Sequence, residues 1–166
     1  NGWTFDLTVA NTDKSAYSST TVNLTMGGLG SLNFNQGDSG NGIQAYDDKM
    51  PSANEESWAN SAGTKSAAAT GASGNNGFNY TNSSLMDGVA LDLYLLPSAA
   101  GSKTTFEYGL TYTGIDGLTV GFAGGDNETT ATNVRESRNL WATYTMDAFT
   151  VGVQDNSTDA QTANTD

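Results

Sequence analysis

The chain has 166 residues and carries 18 acidic against 6 basic side chains, which gives a formal net charge of −12 at pH 7. Because it contains no histidine or cysteine, disulfides, Ser-His-Asp or Cys-His catalysis and His/Cys metal sites are excluded. The acidic balance argues against nucleic-acid binding, which needs basic side chains. An aromatic content of 10% argues against a disordered chain.

Apolar residues alternate with small polar ones in nine stretches of the sequence. In the first stretch, Trp3, Phe5 and Leu7 share one face of a strand, while Thr4 and Asp6 fall on the other. This period of two is the pattern of β-strands whose two faces meet different surroundings. The predicted strands are Trp3–Ala10, Val22–Met26, Leu32–Asn35, Phe78–Ser83, Val89–Leu95, Phe106–Tyr112, Leu118–Ala123, Asn139–Met146 and Phe149–Gln154.

Short and long connections alternate between these strands. The short ones contain Gly or Asp and predict tight antiparallel reversals; they are Met26–Gly30, Met86–Gly88, Gly114–Gly117 and Met146–Ala148. The long ones are polar and are expected to be loops; they are Asn11–Ser19, Gly37–Gly77, Pro97–Lys103 and Gly125–Glu136. The end of the chain, Asp155–Asp166, is polar and has no strand pattern. Such alternation is typical of transmembrane β-barrels, which have short turns at one end and long loops at the other.

The polar face of the predicted strands contains Thr, Gly, Asn, Ala and Gln, with only Asp6, Asp92 and Glu107 charged. A soluble exterior normally carries many Lys and Glu side chains, whereas small neutral polar residues suit the wall of a water-filled lumen. The sequence therefore predicts an all-β protein, an antiparallel transmembrane β-barrel with these three carboxylates facing the lumen. Alternation alone leaves a soluble β-sandwich open.

Two segments resemble a known family. They are Thr20–Asp38 (TTVNLTMGGLGSLNFNQGD) and Gly42–Pro51 (GIQAYDDKMP), and they are similar to the trimeric general-diffusion porins of Gram-negative bacteria, in particular those of alphaproteobacteria. The resemblance implies a single barrel domain over residues 1–166, a 16-stranded fold, a homotrimer in the outer membrane and a third external loop that folds inward. Nine strands cannot close such a barrel, so we expect an internal fragment that lacks the first and last strands.

The connection Gly37–Gly77 is the longest, and long loops without secondary structure are usually functional or disordered. The resemblance implies that it is the constriction loop, in which carboxylates attract cations and repel anions because low-dielectric walls focus their field. The predicted constriction residues are Asp38, Asp47, Asp48, Glu55 and Glu56. The alternative is that these are solvated loop charges or helix caps, since Ser52–Glu55 also reads as a capping box.

The resemblance further implies basic residues on the wall opposite this loop. Arg138 is expected to face the lumen, and Arg135 an external loop. No cofactor is expected. Loop Ca²⁺ remains open because Gly37–Gly42, Gly125–Glu128 and Asp155–Asp159 are rich in oxygen ligands, although none has the spacing of an EF-hand.

The leading hypothesis is therefore a bacterial outer-membrane porin, not an enzyme, that lets small hydrophilic solutes and ions diffuse through a water-filled pore. Its partners would be outer-membrane lipid and further copies of the chain in a homotrimer. The alternative is a soluble secreted or cell-surface β-sandwich that acts as an adhesin or glycan-binding module. That reading requires its apolar side chains to be buried in protein; they are Leu91, Leu93, Phe106, Tyr108, Val120 and Phe122. A substrate-specific porin is a third hypothesis.

Overall fold

A computed structural model describes residues 2–12, 16–36, 42–46, 49–51, 76–97, 104–130 and 133–162. These residues form an all-β structure, a nine-stranded antiparallel sheet. The strands are β1 Thr4–Thr12, β2 Ala16–Thr25, β3 Ser31–Gln36, β4 Gly77–Met86, β5 Val89–Leu96, β6 Thr105–Ile115, β7 Leu118–Thr130, β8 Asn133–Met146 and β9 Phe149–Thr162. All nine strands predicted from the alternation are confirmed.

The strands lie in the sheet in chain order, each hydrogen-bonded to the next. Within the described ranges, β1 and β9 do not pair with each other, so the sheet is open. Four tight connections lie at one end of the sheet. The turns between β4 and β5 and between β6 and β7 contain Gly88 (φ 70°) and Gly117 (φ 73°), conformations that favour glycine because it has no Cβ. A single 3-10 turn, Gly27–Leu29, connects β2 to β3.

Three regions predicted as loop or tail are strand instead. β7 continues to Thr130 and β8 begins at Asn133, so most of the predicted loop Gly125–Glu136 is wrong. β1 likewise runs to Thr12 and β2 starts at Ala16, within the predicted loop Asn11–Ser19. β9 extends through the polar end of the chain to Thr162. Backbone pairing continues in these regions, but apolar residues no longer occupy every second position there, so the alternation that marks a strand is lost.

The two faces of the sheet have different surroundings. The apolar face carries the alternating hydrophobic side chains of every strand and is uncovered: Phe5 is 66% exposed and Val151 is 64% exposed. The polar face is partly covered by a short 3-10 helix, Gly42–Tyr46, which was not predicted. The hydrophobic core lies between this helix and the sheet and consists of Ile43 and Tyr46 of the helix with Ala123 and Trp141 of the strands.

Among the described residues, no helix has the length and hydropathy needed to cross a membrane.

Candidate functional site

Polar side chains of all nine strands lie in rows across the polar face, because paired residues in neighbouring strands point to the same side. One row, in strand order, is Asp6, Asn23, Asn33, Asn79, Tyr94, Glu107, Gly125, Ser137 and Thr158. The adjoining row is Thr4, Thr25, Ser31, Thr81, Asp92, Gly109, Ala123, Asn139 and Asn156. Together they form a nearly continuous wall of amides, hydroxyls and carboxylates.

The predicted lumen-facing carboxylates Asp6, Asp92 and Glu107 all lie on this polar face. The structure does not bring Arg138 together with them. It pairs with Gly124 and Ser157 in a row of the opposite, apolar face, because its neighbours Ser137 and Asn139 take the polar side. Its guanidinium forms an exposed ion pair of 2.6 Å with Glu136. The predicted constriction residues lie outside the described residues; they are Asp38, Asp47, Asp48, Glu55 and Glu56.

A segment of the predicted constriction loop lies on the polar face of the later strands. We call residues 42–46 and 49–51 the docked segment. At its start, the backbone N–H of Ile43 donates to Oε2 of Glu107 over 2.8 Å. Glu107 and Ile43 are each only 1% exposed. Because a buried carboxylate is stable only with hydrogen-bond partners, this contact ties the docked segment to β6.

The docked segment is held at a second point by two amide side chains. The carbonyl oxygen of Tyr46 accepts hydrogen bonds from Nδ2 of Asn139 and, over 2.9 Å, from Nε2 of Gln154. The Oε1 atom of Gln154 in turn accepts from the backbone N–H of Lys49 over 2.9 Å. Gln154 therefore binds a C=O and an N–H of the docked segment at once, as a neighbouring strand would.

Glycines on the polar face make room for two groups of the docked segment and for the indole of Trp141 beside it. The ring of Tyr46 lies against Gly109, the indole of Trp141 against Gly121, and Pro51 against Gly152, and a Cβ added at any of these glycines would overlap the group above it. Sequence reasoning missed the docking roles of Ile43, Tyr46, Asn139 and Gln154. One signal was present in the sequence: several polar-face positions of β6 and β7 carry very small residues, which indicates that another segment packs closely against them. These residues are Gly109, Gly121, Ala123 and Gly125.

The phenol of Tyr46 lies in an environment that keeps it neutral. Burial, followed by the negative charge of Asp92, raises the pKa of Tyr46 to about 12, and a hydrogen bond with Thr111 opposes the shift. The Nζ atom of Lys49 lies 5.6 Å from the centre of the Tyr46 ring, within the range of a cation–π contact. Tyr46 is therefore a neutral, fixed side chain between the wall and the rest of the docked segment.

Within the part of the chain that the structure describes, no three Asp or Glu side chains are grouped closely enough to hold a metal ion. Comparison of the chain with protein-family models, with curated proteins and with solved structures finds no match in any of the three. Function therefore has to be inferred from the two faces of the sheet and from the docked segment.

Proposed function

We propose that the chain is part of a porin in the outer membrane of a Gram-negative bacterium, whose water-filled channel lets small hydrophilic solutes and ions diffuse passively. In this arrangement the apolar face contacts lipid and the polar face lines the channel. The observation that carries the proposal is the uncovered apolar face: Phe5, Phe149 and Val151 are each more than 60% exposed. A soluble monomer rarely exposes a continuous apolar surface of this extent.

The position of the apolar residues along the strands supports lipid contact. In β1 they run from Trp3 to Val9, on either side of Phe5. The row of paired residues that begins at Phe5 in β1 ends at Ser157 in β9. The apolar residues of β9 do not lie around Ser157; they are Phe149–Val153, closer to the short turn. From β1 to β9 the apolar stretch thus moves by about seven residues toward the short turns, over eight strand-to-strand steps.

This displacement corresponds to a strand tilt. With a rise of about 3.3 Å per residue and a strand spacing of about 4.8 Å, it is a slope of roughly 30°. Strands that cross a flat apolar layer obliquely must show such a displacement, and strands of membrane barrels tilt by about 35–45°. A level apolar band on tilted strands is thus the arrangement that a membrane requires.

Aromatic residues lie at both edges of this apolar band, as in the aromatic girdles of membrane barrels. Toward the short turns they are Trp3, Tyr112, Tyr144 and Phe149. Toward the long connections they are Phe34, Phe78, Phe106 and Phe122, of which Phe34 and Phe78 contact each other with ring centres 5.1 Å apart.

The soluble β-sandwich receives less support. It requires the apolar side chains of the middle strands to be covered by protein, whereas Phe106 is 49% exposed, Tyr108 39% and Phe122 38%. The open edges of β1 and β9 would have unpaired backbone groups. We therefore propose that further strands of the same protein pair with these edges and complete a 16-stranded barrel, which assembles as a homotrimer.

The docked segment fits the role of a constriction, because a segment that lies on the wall of a channel reduces its cross-section. It is part of Gly37–Gly77, the loop for which the resemblance implies this role. We propose that the carboxylates of this loop, together with Asp92 and Glu107 on the wall, give the channel a preference for cations.

The experiment is a planar-bilayer recording of the full-length protein in potassium chloride. Stepwise conductance increases are expected, and their absence would remove the channel. Amide substitution of Asp47, Asp48, Glu55 and Glu56 should lower the ratio of cation to anion permeability. A quadruple variant with wild-type selectivity would remove the loop carboxylates as the filter but leave the channel intact.

A second measurement tests which face contacts lipid. Because the chain contains no cysteine, single cysteines can report on individual positions. A fluorophore at Leu7→Cys or Leu93→Cys should be quenched by brominated lipid, whereas one at Thr8→Cys or Asn33→Cys should be quenched by aqueous iodide. Equal quenching on both faces, or folding of the protein without detergent or lipid, would favour the soluble sandwich.

A further inference from the structure

A cavity of about 270 Å³ lies at the short-turn end of the polar face, beneath Tyr46. It is bounded by the turn that holds Gly27 and Gly30, by β4 and by β5. Since one water molecule occupies about 30 Å³ of liquid, the cavity has room for a small hydrated ion or a small polar solute. It is separate from the contacts of Glu107, Asn139 and Gln154 that hold the docked segment.

The wall of the cavity presents two hydroxyl groups and a carboxylate side by side. Ser31 pairs with Thr81, and Thr81 pairs with Asp92, so the three side chains occupy directly opposed positions on neighbouring strands. Such side chains have Cβ atoms about 4.5–5.5 Å apart. All three residues line the cavity, and neighbouring members of the row, such as Thr81 and Asp92, offer oxygen ligands at a spacing that one small cation can bridge.

The charges around this row favour a cation. Among the residues that the structure describes, neither lysine nor arginine lines the cavity. With its amide oriented so that the nitrogen faces acceptors, Asn79 donates to Oδ1 of Asp92 over 2.7 Å, a neutral contact that leaves the charge uncompensated. Glu107 lies on the next strand, one pair of residues away, because Tyr94 pairs with Glu107 and Asp92 pairs with Gly109. A second negative charge at this distance makes a cation in the cavity still more favourable.

We propose that this cavity binds a small monovalent cation, either an alkali ion or the ammonium group of a small solute, and so forms a binding station on the channel wall. Asp92 supplies the charge and its neighbour Thr81 supplies a neutral oxygen ligand, while Ser31 extends the polar row by one strand. The proposal rests on the proposed channel function and extends it: cations entering from the short-turn end would be concentrated directly below the docked segment.

The test is the conductance of the full-length protein as a function of cation concentration, measured separately with potassium chloride and methylammonium chloride. A binding station predicts a component that saturates at low concentration. Asp92→Asn should remove it and lower the ratio of cation to anion permeability. Saturation with only one of the two salts would identify the cation that the cavity accepts, and saturation with neither would overturn the station.

Asp6→Asn is the matched control, because it removes the same charge from the same face at a position outside the cavity. Asp92→Glu should retain the saturating component, and Thr81→Val should raise the concentration of half-saturation without changing the charge. An Asp92→Asn channel that matches Asp6→Asn would overturn the station while leaving the channel intact. If Asp92→Asn does not fold, Thr81→Val alone decides. Absence of channels in the wild type would instead refute the proposed function.

Discussion

Gln154 should hold the docked segment on the sheet, and its removal should release the segment locally. Its side chain accepts a hydrogen bond from the N–H of Lys49 and donates one to the carbonyl of Tyr46, each over 2.9 Å. In Gln154→Ala both are lost. The carbonyl of Tyr46 retains its bond from Asn139, so the N–H of Lys49 is the group left without a side-chain partner.

The size of the effect follows from what is left unpaired. A half-buried donor without a partner costs about 1–2 kcal/mol, the lower part of the range for buried polar groups. If this cost acts on the equilibrium between docked and undocked segment, the undocked population rises about 5- to 30-fold. The strands themselves should be unaffected, because Gln154 retains its backbone pairing with Trp141.

Limited proteolysis measures this population, because trypsin cleaves after Lys49 only when the segment leaves the wall. The initial cleavage rate of the full-length protein at this bond should rise by the same factor of about 5 to 30 in Gln154→Ala. Thr150→Ala is the control, since it removes a side-chain contact of the same strand, with Thr145, in which the docked segment takes no part. Equal rates in the two variants would refute the role of Gln154.

Three further predictions concern the two faces. Gly109→Ala should destabilise the folded protein by about 1–3 kcal/mol in denaturant titrations, because the ring of Tyr46 occupies the space of the new methyl group, whereas Gly28→Ala, which meets nothing within 4 Å, should have little effect. Leu93→Lys on the apolar face should destabilise the protein folded in lipid bilayers by about 2–4 kcal/mol, and Asn33→Lys on the polar face should destabilise it much less. Tyr46 should stabilise docking fully below pH 10 and lose this contribution as the pH rises toward 12, because its pKa is near 10 in the unfolded chain and near 12 in the folded one. The difference in phenolate absorbance between the wild type and Tyr46→Phe measures the pKa of the folded phenol. A value near 10 would contradict the burial of this phenol.

The strands could be predicted because the apolar face is continuous. Each central strand places three or four hydrophobic residues at a period of two, and the turns contain Gly or Asp where the backbone needs them. Leu91, Leu93 and Leu95 of β5, for example, identify both the strand and the side that it turns to the apolar face. The same alternation placed Asp92 and Glu107 on the polar face.

The docked segment could not be predicted from periodicity, because its position depends on contacts between residues far apart in the sequence. Ile43 and Glu107 are 64 residues apart, and Tyr46 and Gln154 are 108 residues apart. For a glutamate or a glutamine on a polar face, the sequence does not indicate whether the side chain contacts water or a backbone group. Arg138 is a different case: the expectation that it faces the lumen came from the basic wall that the resemblance implies, whereas its spacing from Leu140 puts it on the apolar face.

The strand ends that were predicted as loops lie where the apolar band of the sheet stops. On the apolar face of β8, Leu140 is followed toward the long connection by Arg138 and then Glu136, and on β9 Val153 is followed by Asp155. Backbone pairing continues without interruption through this change, so the change is not the end of the sheet. It is the point at which one face of a continuous strand stops being apolar. A soluble sandwich has little reason to extend paired strands beyond its core with charged residues on the face that is apolar further along. A sheet that crosses an apolar layer and continues into water must change character there, and at the position along each strand that its tilt dictates.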